Sequence, residues 1–286
     1  MQGTVDGFSY GLVTPLVAFV MACLGGALGL RCTTRAQLVG GSWRPGWLAL
    51  GSLAIGSGVW TMHFIGMMGF TVHEAPIHYD KPFTYASLGV AILMVGVGIF
   101  IVGYRGASGT ALFTGGTVTG LGIASMHYLG MAGLELDGKL EYDTVTVAAS
   151  VLIAMAAATA ALWAAGQVRG LLWSVGASLV MGLAVSGMHY TGMAALKVHV
   201  HGAADPTTGD APAALLAPML IGPLALLCLA GVVVLFDPLM IMGRPAPPRP
   251  EPKPGVPAHL PHRTRRIALR TRRPPARSGS RTPQNR

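Results

Sequence analysis

The amino-acid sequence predicts an all-α, polytopic membrane protein: seven transmembrane helices built from three two-helix repeats plus one further helix. Its N-terminus is expected outside and its C-terminus in the cytoplasm. Three observations carry this reading. Of the 286 residues, 52% are hydrophobic and only 11% charged, with a mean hydropathy of +0.55, whereas soluble domains hold roughly 25% charged residues. Seven apolar runs reach the ~20 residues that a spanning helix needs. The connectors between them alternate in charge.

The first run, about residues 11–30, follows a segment that holds Asp6 and no Lys or Arg. That segment lacks the basic region of a cleavable signal, so the run reads as a permanent helix. The second run, about 47–70, comes after Arg31, Arg35 and Arg44 and ends in Met62-His63-Phe64-Ile65-Gly66-Met67. The third, about 83–103, follows Glu74, Asp80 and Lys81. The fourth, about 111–134, follows Arg105 and ends in Met126-His127-Tyr128-Leu129-Gly130-Met131. The fifth, about 145–166, follows Glu135, Asp137, Lys139, Glu141 and Asp143. The sixth, about 171–196, follows Arg169 and ends in Met188-His189-Tyr190-Thr191-Gly192-Met193. The seventh, about 214–236, follows Lys197, Asp205 and Asp210. Gly25/Gly29 and Gly116/Gly120 have the small-xxx-small spacing of close helix packing in lipid.

Arg-bearing connectors thus alternate with acidic ones. The positive-inside rule puts the Arg side in the cytoplasm, and an odd helix count agrees with termini on opposite sides. The expected location is the cell's inner, plasma membrane, crossed several times. Residues 1–243 carry eight Lys/Arg and ten Asp/Glu, while residues 244–286 carry twelve Lys/Arg and one Glu. The strongly basic isoelectric point therefore belongs to a Pro/Arg-rich tail, expected to be disordered and cytoplasmic, and to rest on anionic lipid. Nucleic acid is not an expected partner, because no aromatic residues interleave with the tail's arginines. Cys23, Cys32 and Cys228 show no paired spacing and no disulfide framework.

The three His motifs carry the chemistry. A polar ring in an apolar run is costly unless paired or functional. His63 precedes His127 by 64 residues, and His127 precedes His189 by 62, the mark of an internal repeat with its motif late in every second helix. Residues i and i+4 share a helix face, so His63 aligns with Met67, His127 with Met131 and His189 with Met193. Met62, Met126 and Met188 lie about 100° round the helix from their His. Imidazole plus thioether suits copper, Cu(I) above all, while three His alone also suit zinc. Gly66, Gly130 and Gly192 remove bulk beside the same face. His73, Glu74, His78, His199 and His201 fall in the outer connectors as solvated loop residues, with a second reading as an ion entry site.

These motifs resemble the MHYT domain, a bacterial integral-membrane sensor module. Only Met188-His189-Tyr190-Thr191 spells the name, yet the likeness spans roughly residues 8–240. The resemblance implies copper bound by Met62, His63, Met126, His127, Tyr128, Met188, His189 and Tyr190. It also implies sensing of a diatomic gas such as oxygen, carbon monoxide or nitric oxide. Phe64 cannot ligate, so Tyr128 and Tyr190 are read as groups that orient an imidazole through a hydrogen bond. Family members often carry a cytoplasmic output domain; residues 244–286 are too few and too polar for one, so a separate output protein is the expected partner besides the lipid bilayer. No Ser/His/Asp or HExxH arrangement points to an enzyme. The alternatives to a sensor are copper transport or periplasmic copper handling, and a haem-binding electron-transfer protein.

Overall fold

The computed structural model describes residues 3–39, 43–167, 171–200 and 212–237. Seven helices lie where the apolar runs predict them: α1 (Val13–Leu38), α2 (Arg44–Met68), α3 (Lys81–Arg105), α4 (Gly109–Ala132), α5 (Thr144–Gln167), α6 (Leu171–Ala194) and α7 (Pro212–Leu235). Six of them are long and apolar enough to cross a membrane. α4 is the exception, because its glycines and threonines dilute its apolar content. The chain is in this sense a multi-pass membrane protein. Arg169, His201, Asp205, Asp210 and the whole tail from 244 lie outside the described residues.

α1 runs two turns past its expected end at residue 30. The chain was expected to leave the helix where charge begins, at Arg31 and Arg35. Arg35 instead stays buried at 8% exposure. It forms an ion pair with Asp237 just beyond α7, and its guanidinium lies 5.4 Å from the centre of the Trp47 ring. A charge so paired does not oblige the helix to stop.

Short strands at one end of the bundle define the repeat more sharply than the helices do. β1 (Val5–Asp6) pairs with β2 (Thr71–Val72), β3 (His78–Tyr79) with β4 (Leu134–Glu135), and β5 (Gly138–Tyr142) with β6 (Leu196–Val200), all antiparallel. Each unit is therefore strand–helix–helix–strand, and each pairing clips shut a helix hairpin at the end that carries the His motif. The connectors expected as loops are partly strand. His78 faces Glu135 in register, and His199 faces Lys139 while its ring lies 3.4 Å from the Glu141 carboxylate. His73 and His78 are solvent-exposed as expected.

The helices α1 to α6 follow one another round a ring that closes from α6 back to α1, and α7 packs on the outside against α2 and α1. α2 is the inner member: 78% of its apolar core is buried, against 28% in α7. Small residues set the close contacts. A Cβ at Gly25 would sit 2.7 Å from Gly58 Cα, and one at Gly120 would sit 2.6 Å from the Met155 nitrogen, so the two small-xxx-small pairs join α1 to α2 and α4 to α5. The Trp60 indole donates to Thr84 O at 3.1 Å and Ser87 Oγ at 3.0 Å, tying α2 to α3.

Asp143 starts α5. Its carboxylate accepts from the Thr146 backbone N–H at 2.9 Å and the Thr146 hydroxyl at 2.7 Å, an N-terminal cap. Those bonds favour the ionised form and hold the Asp143 carboxyl below its usual range. A lowered folded-state value stabilises the fold above the unfolded value of about 3.9 and is lost as pH falls through the folded value. Wild-type melting temperature should accordingly drop further between pH 5 and pH 3 than that of Asp143→Asn; equal drops would remove the cap from the account.

Candidate metal centre

Each imidazole is placed by the late turns of the second helix of its repeat: His63 on α2, His127 on α4, His189 on α6. All three are buried, at 0–1% exposure. Their Nδ1 atoms meet in a triangle: His63 to His189 at 3.0 Å, His127 to His63 at 3.1 Å and His189 to His127 at 3.3 Å. The rings stand nearly at right angles to one another, 78–86° apart. Residues more than 60 positions apart thus converge on one point, as the matched motif positions predict.

That triangle cannot be satisfied by hydrogen bonds alone. Every N···N bond needs one nitrogen bearing a proton and one offering a lone pair. Three nitrogens in a ring cannot alternate, so at least one edge opposes two lone pairs or two protons. The arrangement is close enough to hold a metal ion. A point equidistant from the three nitrogens lies about 1.8 Å from each, near the ~2.0–2.1 Å of an imidazole–zinc bond. One cation there would accept all three lone pairs and remove the unfavourable edge.

The outward ring nitrogens follow a cyclic rule that sequence reasoning missed. The glycine three residues after each His faces the His of another repeat. A Cβ on Gly66 would lie 2.6 Å from His189 Nε2, and one on Gly130 would lie 2.7 Å from His63 Nε2; one on Gly192 would meet His127 Nε2 closer still. The glycines thus make room for a neighbouring ring rather than for a neighbouring helix in general. Comparing the three motifs flags the glycines themselves, since all three carry one at that position, but not which His each one faces.

The aromatic residue after each His does one job in all three copies. Phe64, Tyr128 and Tyr190 set their rings edge-on to the preceding imidazole, at 4.6, 4.8 and 4.9 Å between centres. This explains why Phe64 is acceptable: the ring makes the contact. The hydroxyls go elsewhere. Tyr128 Oη pairs with Ser150 Oγ on α5 at 2.7 Å rather than with an imidazole. The Tyr190 ring stacks on Phe8, 5.8 Å away.

The methionines occupy the same core. Met62, Met67, Met126, Met131 and Met188 are buried at 0–1% exposure, and Met193 is half-buried. One helical turn below the triangle lie Val59, Ile123 and Val185, each four residues before its His, and a further turn below lie Ile55, Thr119 and Met181. These six side chains line an apolar cavity of about 30 Å³. From Ile55, Thr119 and Met181 up to the histidines, the interior is a stack of three-residue layers.

The family described as MHYT, bacterial signalling protein N terminal repeat, matches this chain at residues 56–115, 120–178 and 182–242. His63, His127 and His189 each fall seven residues after the start of a match. The third match runs through α7, which the helix pattern had set outside the repeat; in space α1 takes the place beside α6, and α7 packs elsewhere. Among relatives, the bifunctional diguanylate cyclase/cyclic di-GMP phosphodiesterase MucR of Pseudomonas aeruginosa is 38% identical over 194 residues, 66% of this chain and 28% of MucR. The cyclic di-GMP phosphodiesterase NbdA of the same organism is 34% identical, covering 70% of this chain and 27% of NbdA. The signaling protein YkoW of Bacillus subtilis is 32% identical, covering 67% and 24%. The chain spans about a quarter of the length of these relatives. No solved structure matches it. The three family matches cover more than half of the chain, and each brings one histidine to the buried triangle: this protein belongs to the MHYT family of bacterial signalling proteins.

Proposed function

We propose that this chain is a metal-dependent sensor module of the bacterial inner membrane. His63, His127 and His189 hold the ion, and the observation that carries the reading is their odd ring of Nδ1 atoms at 3.0–3.3 Å, whose unfavourable edge a cation at its centre would remove. Copper is the preferred ion. The cluster contains no carboxylate, and methionines surround it, so thioether from Met62, Met67, Met126, Met131, Met188 or Met193 is available as a further soft ligand. A bound copper ion would supply an open position for a diatomic gas. Tyr128 and Tyr190 contribute as walls that hold the imidazoles in place. Haem is disfavoured, since two axial imidazoles stand on opposite faces of a flat macrocycle, whereas these three nitrogens touch.

In this reading all seven helices cross the membrane, with the strand-clipped His end outside and the arginines inside. α4 crosses with Gly115, Gly116, Thr119, Gly120 and Gly122 buried against its neighbours. Two of the named relatives, MucR and NbdA, act on cyclic di-GMP, so the output here is a domain or separate cytoplasmic protein of that kind. Residues 244–286 form a basic tail at the anionic lipid surface. Occupancy must stabilise one packing of α2, α4 and α6 over another for a signal to pass.

X-ray absorption at the copper edge of protein purified in mild detergent tests the ligand set. The expected first shell is three nitrogens near 2.0 Å with sulfur beyond it. A shell of oxygen alone, or copper removed by a single desalting step, would overturn the assignment.

A further inference from the structure

The three seams between His and glycine are not equivalent. At two of them the outward imidazole nitrogen is sealed: His63 Nε2 and His127 Nε2 are buried with no hydrogen-bond partner among the described residues. At the third, where the ring of repeats closes, His189 and Gly66 line a cavity of about 250 Å³. Its other walls include Gly7, Phe8, Tyr190 and Met193. The difference has a local cause. Phe64 fills its seam, fully buried against Trp60 at 4.6 Å between ring centres. Tyr128 is drawn to Ser150 and packs on Tyr142. Tyr190 has no such partner inside the bundle; its ring leans out onto Phe8, which is 51% exposed, and its hydroxyl is buried without a hydrogen bond.

The N-terminal segment spans this seam. It joins the first repeat through the β1–β2 pairing and through Ser9 N and Oγ to Gly69 O at 3.1 and 2.9 Å. It also reaches the third repeat, where Gly3 N donates to Val198 O at 2.8 Å. The segment thus holds Phe8 over the cavity from both sides.

Resting on the metal-site reading above, the geometry points to this seam as the port through which ions and small ligands reach the histidines from the strand end of the bundle, with Phe8 as its cover. The mouth suits a soft cation or a small neutral molecule: it offers the Met193 thioether, the Tyr190 hydroxyl and the His189 ring, and no carboxylate. The two sealed seams carry no traffic.

Gly7 permits a test that leaves the triangle alone. Its backbone is not left-handed, and a Cβ there would meet nothing within 4 Å, so a side chain can start at Gly7 without a clash, and Gly7→Trp adds bulk to the cavity lining. Protein in detergent is mixed with copper(I) delivered from a chromophoric chelator, and uptake is followed by stopped-flow absorbance. Gly7→Trp should load at least about tenfold more slowly than wild type and reach the same final stoichiometry, while Phe8→Ala should load faster. Ala194→Trp, from the α6 side of the lining, should also slow loading and guards against misfolding of either variant alone. Wild-type rates in both tryptophan variants would overturn the port and leave the metal site intact. Failure of wild type itself to load would instead overturn the metal site.

Discussion

If the triangle is the metal site, His127→Ala protein should bind copper(I) at least about a hundredfold more weakly than wild type, and His63→Ala and His189→Ala should do the same. Removing a group that merely orients a metal ligand already weakens binding about 10–100-fold, and a ligand of a three-nitrogen site is worth more. Losses from two substitutions should not add, because the second finds a site already dismantled. Competition with a copper(I) chelator measures the affinities; equal affinity in wild type and all three variants would dismiss the triangle as the site. A second expectation separates ligation from structure. Without metal, the odd ring of nitrogens carries an unfavourable edge, so replacing one ring relieves as well as removes. His127→Phe, which keeps most of the volume, should therefore melt in chelator no lower than wild type. Wild type alone should gain stability when copper is added, by about 4 kcal/mol at a thousandfold excess over its dissociation constant. If His127→Phe melts far below wild type in chelator, the histidines form a structural hydrogen-bond network instead.

Gly192→Ala should have the second-largest effect, although it removes no ligand. In a helix interior this exchange should stabilise by about 0.8–1.0 kcal/mol. Here the new methyl group meets His127 Nε2 closer than real atoms approach, and the ring is held in place by its two partners and by Tyr128. Overpacking of this kind costs about 1–3 kcal/mol, so the variant should be less stable than wild type and weaker for copper. Gly130→Ala should behave similarly through His63. Gly66→Ala should be mildest, because His189 borders a cavity into which its ring can give. Gly187→Ala, on the same helix as Gly192 with nothing within 4 Å of its added atom, serves as the control and should be neutral or stabilising. Thermal melts with and without copper rank the four. An ordering in which Gly187→Ala is the most harmful would contradict the cyclic packing.

Much of this was legible in the sequence for one reason: the bilayer imposes simple rules. A long run with almost no charge must be a helix, since unpaired backbone groups are not tolerated in hydrocarbon, and all seven runs became helices. The repeat was legible because three near-copies of one motif recur at nearly equal spacing. The convergence of His63, His127 and His189 followed from their matched depth.

Other features were decided only in three dimensions. Nothing in the residues around Arg35 announces that α1 continues past it; the ion pair with Asp237 permits that, and Asp237 lies about 200 positions away. Strands of two residues carry no periodicity to read, and they form because each closes a helix hairpin already assembled by packing. The choice of which nitrogen turns inward, the pairing of each glycine with the His of another repeat, and the single open seam all depend on how three helices close a ring. Local composition sets what each segment is; which side chains meet across the ring is fixed by packing among segments distant in the chain, and that information is spread over all of them at once.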